Sequence, residues 1–170
     1  PFRAKGLVRP ALRVEISELL TDPDTPVPLR QIILESLSGA EITADLKNNL
    51  LRYVEDTKRY FSERSASADA LVTLKDSDVN WPEVVERLAE LGDENSTRLA
   101  LEIISEAGFG SFSDSQIVEV VIAETGILDD TSDDERRMLI GPVYMLGQNL
   151  PDDRIASFLD TLSDRILPFQ

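Results

Sequence analysis

The residue types that could carry out chemistry are few in this chain. Its 170 residues include no cysteine and no histidine, which excludes disulfides, thiolate metal sites, cysteine nucleophiles and triads with an imidazole base. Zinc enzymes lose their usual ligands for the same reason. Carboxylates and lysines are left, and among 32 Asp and Glu residues no pair stands out as the acid and base of a hydrolase. An acid-only enzyme is therefore a minor hypothesis, which a deep pocket with two carboxylates of raised pKa would support.

Two short motifs are candidates for ligand binding. The acidic run at residues 129–135 offers oxygen ligands to a hard cation, but it lacks the glycine and the distal glutamate of a calcium loop. It also precedes an expected helix, where negative charge stabilises the helix N-terminus. The segment Gly108-Phe109-Gly110 has no following lysine or third glycine, so it does not match a phosphate-binding loop. We therefore predict no metal, no cofactor and no catalytic residue.

The net charge of −15 is unevenly distributed. Residues 1–64 contain ten basic and ten acidic residues, whereas residues 65–170 contain seven basic and 22 acidic ones. A field of this sign repels phosphate backbones, so we expect no nucleic-acid partner. The acidic part is either a face for a basic protein partner or a solvated surface that favours solubility. No apolar run approaches the roughly 20 residues of a membrane span, and no signal peptide or initiator methionine is visible. We predict a cytoplasmic segment of a longer chain, without membrane insertion.

Apolar residues recur at helical spacing along almost the whole chain, which predicts about nine helices. We place them at residues 7–21, 25–39, 43–60, 62–75, 80–92, 95–107, 113–126, 132–146 and 151–166. Helix-start signals are Thr25 before Pro26, Asn80 before Trp81-Pro82, and the capping boxes Ser113/Gln116 and Ser132/Glu135. The β-branched run at 117–122 would also suit a strand, but the preceding capping box favours a helix. The stripes expected to be buried include Leu12, Leu29, Leu91, Ile155 and Leu159.

An arginine recurs near the start of the second helix of successive pairs. Arg30, Arg64 and Arg98 are evenly spaced along the chain, and Arg136 or Arg137 follows after a slightly longer interval. Small or apolar residues mostly follow each arginine at +3, +6 and +7. A repeat of this length indicates stacked helix pairs.

At this point the sequence resembles the HEAT and armadillo-like helical repeats. Residues 22–37, with the sequence DPDTPVPLRQIILESL, are similar to the Asp-containing turn of these repeats and the arginine that follows it. The resemblance implies that the Asp and Arg tie neighbouring repeats together, and that the inter-repeat surface binds partners. Unequal repeat lengths and the polar Ser67 and Ser105 depart from the pattern, and the Trp and Leu-Gly pattern of tetratricopeptide repeats is missing. The expected fold is all-α, with stacked antiparallel helix pairs in a HEAT-like α-α superhelix, as a single domain over residues 1–170.

A second resemblance concerns residues 7–37. Their Leu-Val-Arg-Pro-Ala-Leu-Arg segment, followed by Asp-Pro and Pro-x-x-Leu-Arg, resembles helical regions that trail the ATPase core of large bacterial signalling NTPases. This likeness implies a regulatory or sensor arm. A nucleotide-binding loop earlier in the parent chain would favour that function.

The leading functional hypothesis is a non-catalytic protein-interaction scaffold, because stacked helix pairs leave a long groove for partners. The partner would be another protein or another domain of the parent chain. The sequence identifies no protein-binding residue. Trp81, Phe109 and Phe112, at loop edges, either anchor a partner or fill the gaps between successive helix pairs.

Overall fold

The computed structural model describes residues 8–74, 78–129 and 146–166 of the chain. Regular structure within these ranges is entirely helical, and neighbouring helices pack against one another. The predicted all-α class is confirmed. In the part of the chain described, eight α-helices and the helical residues 146–149 give the predicted number of nine. The chain divides into two compact units, Pro1–Val79 and Asn80–Gln170. That residues 1–170 form one domain stays a prediction.

The first unit contains two helix pairs. These are α1 (Arg13–Thr21) with α2 (Val27–Leu37), and α3 (Lys47–Glu55) with α4 (Phe61–Val72). Short 3-10 segments, Pro10–Leu12 and Glu41–Leu46, lead into α1 and α3. Helix α4 lies against α2 and α3, and α1 also lies against both of these helices. Each pair therefore covers apolar surface of the other, as stacked helix pairs must do to form a common core.

The two pairs repeat one structure at the interval that separates Arg30 from Arg64. Helices α1 and α3 begin at residues 13 and 47, and α2 and α4 begin at residues 27 and 61. Core positions recur with the same spacing, and both members of each couple are buried: Ile16 and Leu50, Leu20 and Val54, Leu34 and Ala68, Leu37 and Leu71. The helix starts and these core positions of the first unit therefore share the interval of the sequence period.

The turn inside each pair is repeated too. Asp22 and Asp56 directly follow the last residues of α1 and α3. Each carboxylate accepts a hydrogen bond from the backbone N–H two residues on, at 2.9 Å from Asp24 and 3.0 Å from Lys58. Aspartate favours such turns because its short side chain can bond to its own backbone. The aspartate of the predicted turn thus has a structural role at both places.

The second unit has one central helix. It contains α5 (Trp81–Leu91), α6 (Glu94–Ala107), α7 (Asp114–Asp129) and α8 (Ile155–Ile166). Helix α7 lies against α5, α6 and α8. Helices α3, α5 and α7 begin at residues 47, 81 and 114, which are almost evenly spaced. The spacing of helix starts therefore stays close to that of the first unit.

Local capping explains where these helices begin and end. Gly92 has a φ of 66°, the left-handed conformation that ends α5. The Asp93 side chain accepts from the Ser96 N–H at 3.0 Å and so caps α6. The predicted capping box is confirmed before α7: Ser113 N–H donates to Gln116 Oε1 at 3.1 Å, and Gln116 N–H donates to Ser113 Oγ at 3.3 Å. Residues 117–122 accordingly form helix and not strand.

Several predicted helix boundaries are wrong. The helix expected from residue 7 becomes α-helical only at Arg13, after the 3-10 segment. Thr25 does not cap α2, which begins at Val27. The carbonyl oxygen of Pro26 accepts from the N–H groups of Leu29 and Arg30, so Pro26 is the residue before the helix. The helix expected over 43–60 is 3-10 up to Leu46 and ends at Glu55, before the Asp56 turn.

Five apolar residues expected to be buried are exposed instead. Leu12, Leu29, Leu91, Ile155 and Leu159 expose between 39% and 54% of their surface. Helical spacing identifies an apolar stripe, but it does not tell whether another element covers that stripe. Two further predictions lie outside the described residues. They are the capping box Ser132/Glu135 and most of the helix expected over 132–146, with its kink at Pro142.

Candidate functional site: an acidic groove in the second unit

The arginines of the sequence repeat do not share one environment. Arg30 and Arg64 each occupy the fourth position of their helix, α2 and α4, and both are buried. Arg98 occupies the fifth position of α6, is exposed, and lies 3.4 Å from Glu102. A shift of one residue rotates a helical side chain by about 100°. The prediction that Arg98 is equivalent to Arg30 and Arg64 is therefore wrong. Arg136 and Arg137 lie outside the described part of the chain.

A buried ion pair joins the two helix pairs of the first unit. Arg30 Nε donates to Glu63 Oε1 at 2.7 Å, and the Glu63 side chain has no exposed surface. A second nitrogen of Arg30 donates to the carbonyl oxygen of Thr25, and Glu63 Oε2 accepts from the Tyr60 N–H at 3.3 Å. Both charges thus have further hydrogen bonds, which a buried pair needs to offset its loss of hydration. The ion pair thus connects α2 with α4, one helix from each pair.

Other buried polar groups of the first unit are also bound to the backbone. Arg64 Nε donates to the carbonyl oxygen of Val54 at 2.9 Å, and the Tyr53 hydroxyl donates to that of Leu20 at 2.5 Å. Burial raises the pKa of Tyr53, and the guanidinium of Arg59 lies 4.4 Å from the centre of its ring. These contacts give the polar core of the first unit a structural role.

The loop-edge aromatic residues are part of the core. Trp81, Phe109 and Phe112 expose only 4–8% of their surface. Trp81 is the first residue of α5, and the two phenylalanines lie in the connection between α6 and α7. Of the two roles open to them in the sequence, filling gaps between helices fits this burial. They do not offer anchors to a partner.

A groove runs between α5 and α7 and has a volume of about 560 Å³. Its floor combines the buried Val85 and Val120 with the half-buried Ala89 and Ala123. Alanine side chains end at Cβ, so the facing positions 89 and 123 leave an apolar recess between the two helices. Three exposed carboxylates stand at its rim. We call this surface the acidic groove, formed by Val85, Glu86, Ala89, Glu90, Glu119, Val120 and Ala123.

The charged residues that line the groove are mostly acidic. Glu86 and Glu90 from α5 and Glu119 from α7 are opposed by one cation among the lining residues, Arg165 of α8, which pairs with Glu119. Both members of that pair are about half exposed, so water screens their attraction. Residues 80–170 contain 19 acidic and six basic residues, a net charge of −13. The groove therefore has an acidic rim within the acidic part of the protein.

The second unit contains a buried carboxyl without a hydrogen-bond partner. Glu124 on α7 has no exposed surface, and neither carboxylate oxygen has a hydrogen-bond partner. Burial, followed by repulsion from Glu94, raises its pKa to about 7, against a weaker opposite effect of Arg98. A carboxyl with such a pKa could transfer protons near neutral pH. It does not line the acidic groove, however, so a ligand bound there would not reach it.

Polar contacts hold the N-terminal end of α8. Arg154, just before α8, donates to the carbonyl oxygen of Phe109 at 2.5 Å and forms an ion pair with Asp114, the first residue of α7. Hydrogen bonds from Ser157 and Arg154 lower the pKa of Asp114. Along α8 itself only Phe158, Thr161 and Leu162 are half-buried between residues 155 and 165. This helix thus borders the groove while packing lightly.

The remaining sequence candidates are not brought together as sites. Within the ranges that the structure describes, no three acidic residues are grouped so that they could hold a metal ion. Most of the acidic run at 129–135 lies outside those ranges. No helix in the described ranges is long and apolar enough to cross a bilayer.

Comparisons with known proteins give no relative. No protein-family model matches the chain, and neither a curated protein nor a solved structure is significantly similar to it.

The residues that form the acidic groove were not predicted from the sequence. Alanines on an otherwise branched apolar stripe, at positions 89 and 123, were the available signal, but their meaning depends on which helices face each other.

Proposed function

We propose that the chain is a non-catalytic protein-interaction module whose acidic groove binds a basic amphipathic helix of another protein. The observation that carries this proposal is the combination of an apolar floor, at Ala89 and Ala123, with a carboxylate rim at Glu86, Glu90 and Glu119. A helix laid into a groove offers apolar residues at i, i+3 or i+4, and i+7 to the floor. Its flanking positions then meet the rim, where lysine or arginine would face the carboxylates.

The two kinds of contact have different roles. The apolar floor supplies affinity, because apolar area removed from water contributes about 25 cal/mol per Å². The rim supplies partner choice and association rate, because exposed charge pairs are individually weak but steer a partner of opposite sign. A net charge of −13 on residues 80–170 would attract a basic segment and repel an acidic one. The groove is thus suited to discriminate partners by charge and to hold them by apolar contact.

Binding of a synthetic peptide tests this proposal. The probe is a helical peptide of about 18 residues, which spans roughly 27 Å, with leucines at i, i+4, i+7 and lysines beside them. We expect a Kd in the micromolar range by isothermal titration calorimetry, about −8 kcal/mol. The same peptide with glutamate in place of lysine should bind at least tenfold more weakly. Raising the salt concentration should weaken binding of the lysine peptide, because exposed charges are screened.

Two groove variants separate the roles of floor and rim. Ala123→Leu fills the recess and should abolish binding of the lysine peptide, whereas Ala156→Leu, at an exposed position of α8, should leave it unchanged. The double variant Glu86→Lys/Glu90→Lys should weaken binding about tenfold. Its control, Glu18→Lys/Glu41→Lys, makes the same charge change on exposed residues of the first unit. Equal effects of the two double variants would mean that net charge, and not the groove, attracts the peptide.

An acid-only enzyme finds little support in this geometry. Its condition was a pocket with two carboxylates of raised pKa, and the carboxyl whose pKa burial raises is that of Glu124. This residue lies away from the groove lining. The alternative of a regulatory arm of an NTPase would use the same groove, with the helix supplied by another domain of the parent polypeptide.

A further inference from the structure

The two sides of the acidic groove differ in charge. The α5 side carries Glu86 and Glu90, and both side chains are exposed. Within the part of the chain that the structure describes, neither carboxylate pairs with a cation. The two residues lie on one face of α5, about 6 Å apart along its axis. The α5 side therefore presents two uncompensated negative charges about one helical turn apart.

The α7 side of the groove is polar but has little net charge. Helix α7 contributes Ser115, Gln116 and Glu119 to it, and α8, which packs against α7, adds Arg165. Arg165 forms an ion pair with Glu119. Among the described residues that line this side, the negative charge of Glu119 is thus matched by a guanidinium.

The pair of Arg165 with Glu119 contributes little to stability, but its charges still act on a ligand. Both side chains are about half exposed, and exposed pairs of this kind are weak. Like charges that meet across an interface nevertheless disfavour association. A lysine of the partner on the α7 side would meet Arg165 as well as Glu119, so it gains little there. A lysine on the α5 side would meet Glu86 or Glu90 without a competing cation among the described lining residues.

We propose that the groove selects a helix that is basic along one flank only. Its lysines or arginines lie at i and i+4 and face Glu86 and Glu90, because this spacing matches that of the two carboxylates. Its other flank carries neutral polar residues, which face Ser115, Gln116 and the ion pair on the α7 side. This inference rests on the proposed function, and it specifies how the charges of the partner helix are arranged.

The difference between the two sides also fixes the direction in which the partner helix lies. If a helix is turned end for end while the same apolar face stays on the floor, its two flanks exchange sides. Only one direction then places the basic flank against Glu86 and Glu90. Arg165 is the specificity-determining residue in this arrangement, because without it the α7 side would also be acidic and both directions would be acceptable.

Three synthetic helical peptides with the same length and the same apolar face test the arrangement of charge. The first has two lysines on one flank and glutamines on the other, the second has these flanks exchanged, and the third has lysines on both flanks. At about 0.15 M salt, where distant charges are screened, we expect all three to bind the whole chain with Kd values within about threefold. A larger advantage of the third peptide would overturn the inference and leave the proposed function standing. If no peptide binds, the proposed function fails as well.

Paramagnetic broadening of amide signals reports the direction of each bound peptide. A nitroxide is attached to the N-terminus of the first or second peptide, and the whole chain is isotopically labelled. Because the two peptides lie in opposite directions, one should broaden the amides at the Trp81 end of α5 and the other those at the Leu91 end. If either peptide broadens both ends equally in the parent chain, the inference is overturned.

A matched pair of charge reversals tests the role of Arg165. Arg165→Glu makes the α7 side acidic, so each one-flank peptide should then broaden both ends of α5, and the peptide with lysines on both flanks should bind at least threefold more tightly than the others. Arg87→Glu is the control, because Arg87 belongs to a partly exposed ion pair with Glu83 outside the groove lining. This control should keep one direction for each peptide. A direction that survives in Arg165→Glu, or is lost equally in both variants, would contradict the role of Arg165.

Discussion

The two units use nearly the same spacing of helix starts but different interactions between their helices. In the first unit a buried ion pair and backbone-directed polar side chains connect two pairs that repeat one structure. In the second unit the described buried residues of α5, α6 and α7 are mostly apolar, and the fully buried carboxyl of Glu124 lacks a hydrogen-bond partner. The period thus fixes where helices begin, while the residues at each interface decide what holds them together.

The difference has consequences for stability. A satisfied buried ion pair costs most when one partner is removed, because the other charge is then left without compensation. An unpaired buried carboxyl has the opposite effect, because its ionisation opposes folding. The first unit should therefore be sensitive to mutation of its buried charges, and the second unit should be sensitive to pH.

Removing one member of the ion pair should have the largest effect. We expect Arg30→Met to lower the free energy of unfolding by about 3–5 kcal/mol, because Glu63 is left as a buried unpaired charge. The double variant Arg30→Met/Glu63→Leu should recover most of this loss. Urea denaturation of the three chains measures both effects. If the double variant is as unstable as Arg30→Met, the loss comes from the missing contacts of the pair and not from the uncompensated charge of Glu63.

Replacing Glu124 should stabilise the protein in a pH-dependent manner. The pKa of its carboxyl is raised from 4.5 to about 7 on folding, so the folded state binds more protons between these values and loses stability as pH rises through them. Glu124→Gln removes this linkage. It should be more stable than the parent chain by about 2–3 kcal/mol at pH 8 and similar at pH 4.5. Parallel denaturation curves across this pH range would contradict the burial of an unpaired carboxyl.

The contact that holds α8 should have a smaller effect. Arg154→Ala removes the ion pair with Asp114 and the bond to Phe109, and we expect a loss of about 1–2 kcal/mol. The loss should shrink as pH falls through the lowered pKa of Asp114, since protonation of that carboxylate removes the pair. Arg165→Ala, in the exposed pair with Glu119, should cost less than about 0.5 kcal/mol. Equal losses in the two variants would mean that α8 is not held at its N-terminal end.

The repeated turn should show the smallest effect and sharpen the equivalence of the two pairs. Asp22→Ala and Asp56→Ala each remove one hydrogen bond from side chain to backbone, and each should cost about 0.5–1 kcal/mol in denaturation experiments. Because the two turns are equivalent, the losses should agree within a few tenths. Asp24→Ala provides the control, with a change within about 0.5 kcal/mol. A loss at one aspartate alone would limit the structural repeat to the helices.

Local signals in the sequence predicted much of the fold. The Ser113/Gln116 box, Gly92 and the Trp81-Pro82 start each depend on a few adjacent residues, and they placed α5 and the start of α7 correctly. The end of α7 was predicted at Gly126, but the helix continues to Asp129. The interval between Arg30 and Arg64 matches the spacing of equivalent helix starts in the first unit. Start positions such as that of α1 were wrong, because a 3-10 segment and an α-helix have similar apolar spacing.

Properties that depend on neighbours could not be predicted in this way. Leu29 and Glu63 occupy equivalent positions, yet the charged residue is buried and the apolar one is exposed. Glu63 can be buried because helix α2 covers it and provides Arg30 as its partner. The acidic groove has the same origin, because Ala89 and Ala123 form a recess only where α5 and α7 lie side by side. The sequence accordingly predicted an interaction scaffold without naming a residue that binds.

The most direct test of the central claim is a nitrogen–proton correlation spectrum of the isotopically labelled chain during titration with the lysine-rich helical peptide. We predict that saturable shifts concentrate at the amides of residues 85–90 and 115–123, on α5 and α7, and disappear in Ala123→Leu. Shifts confined to other helices, or shifts that persist unchanged in Ala123→Leu, would contradict binding in the acidic groove.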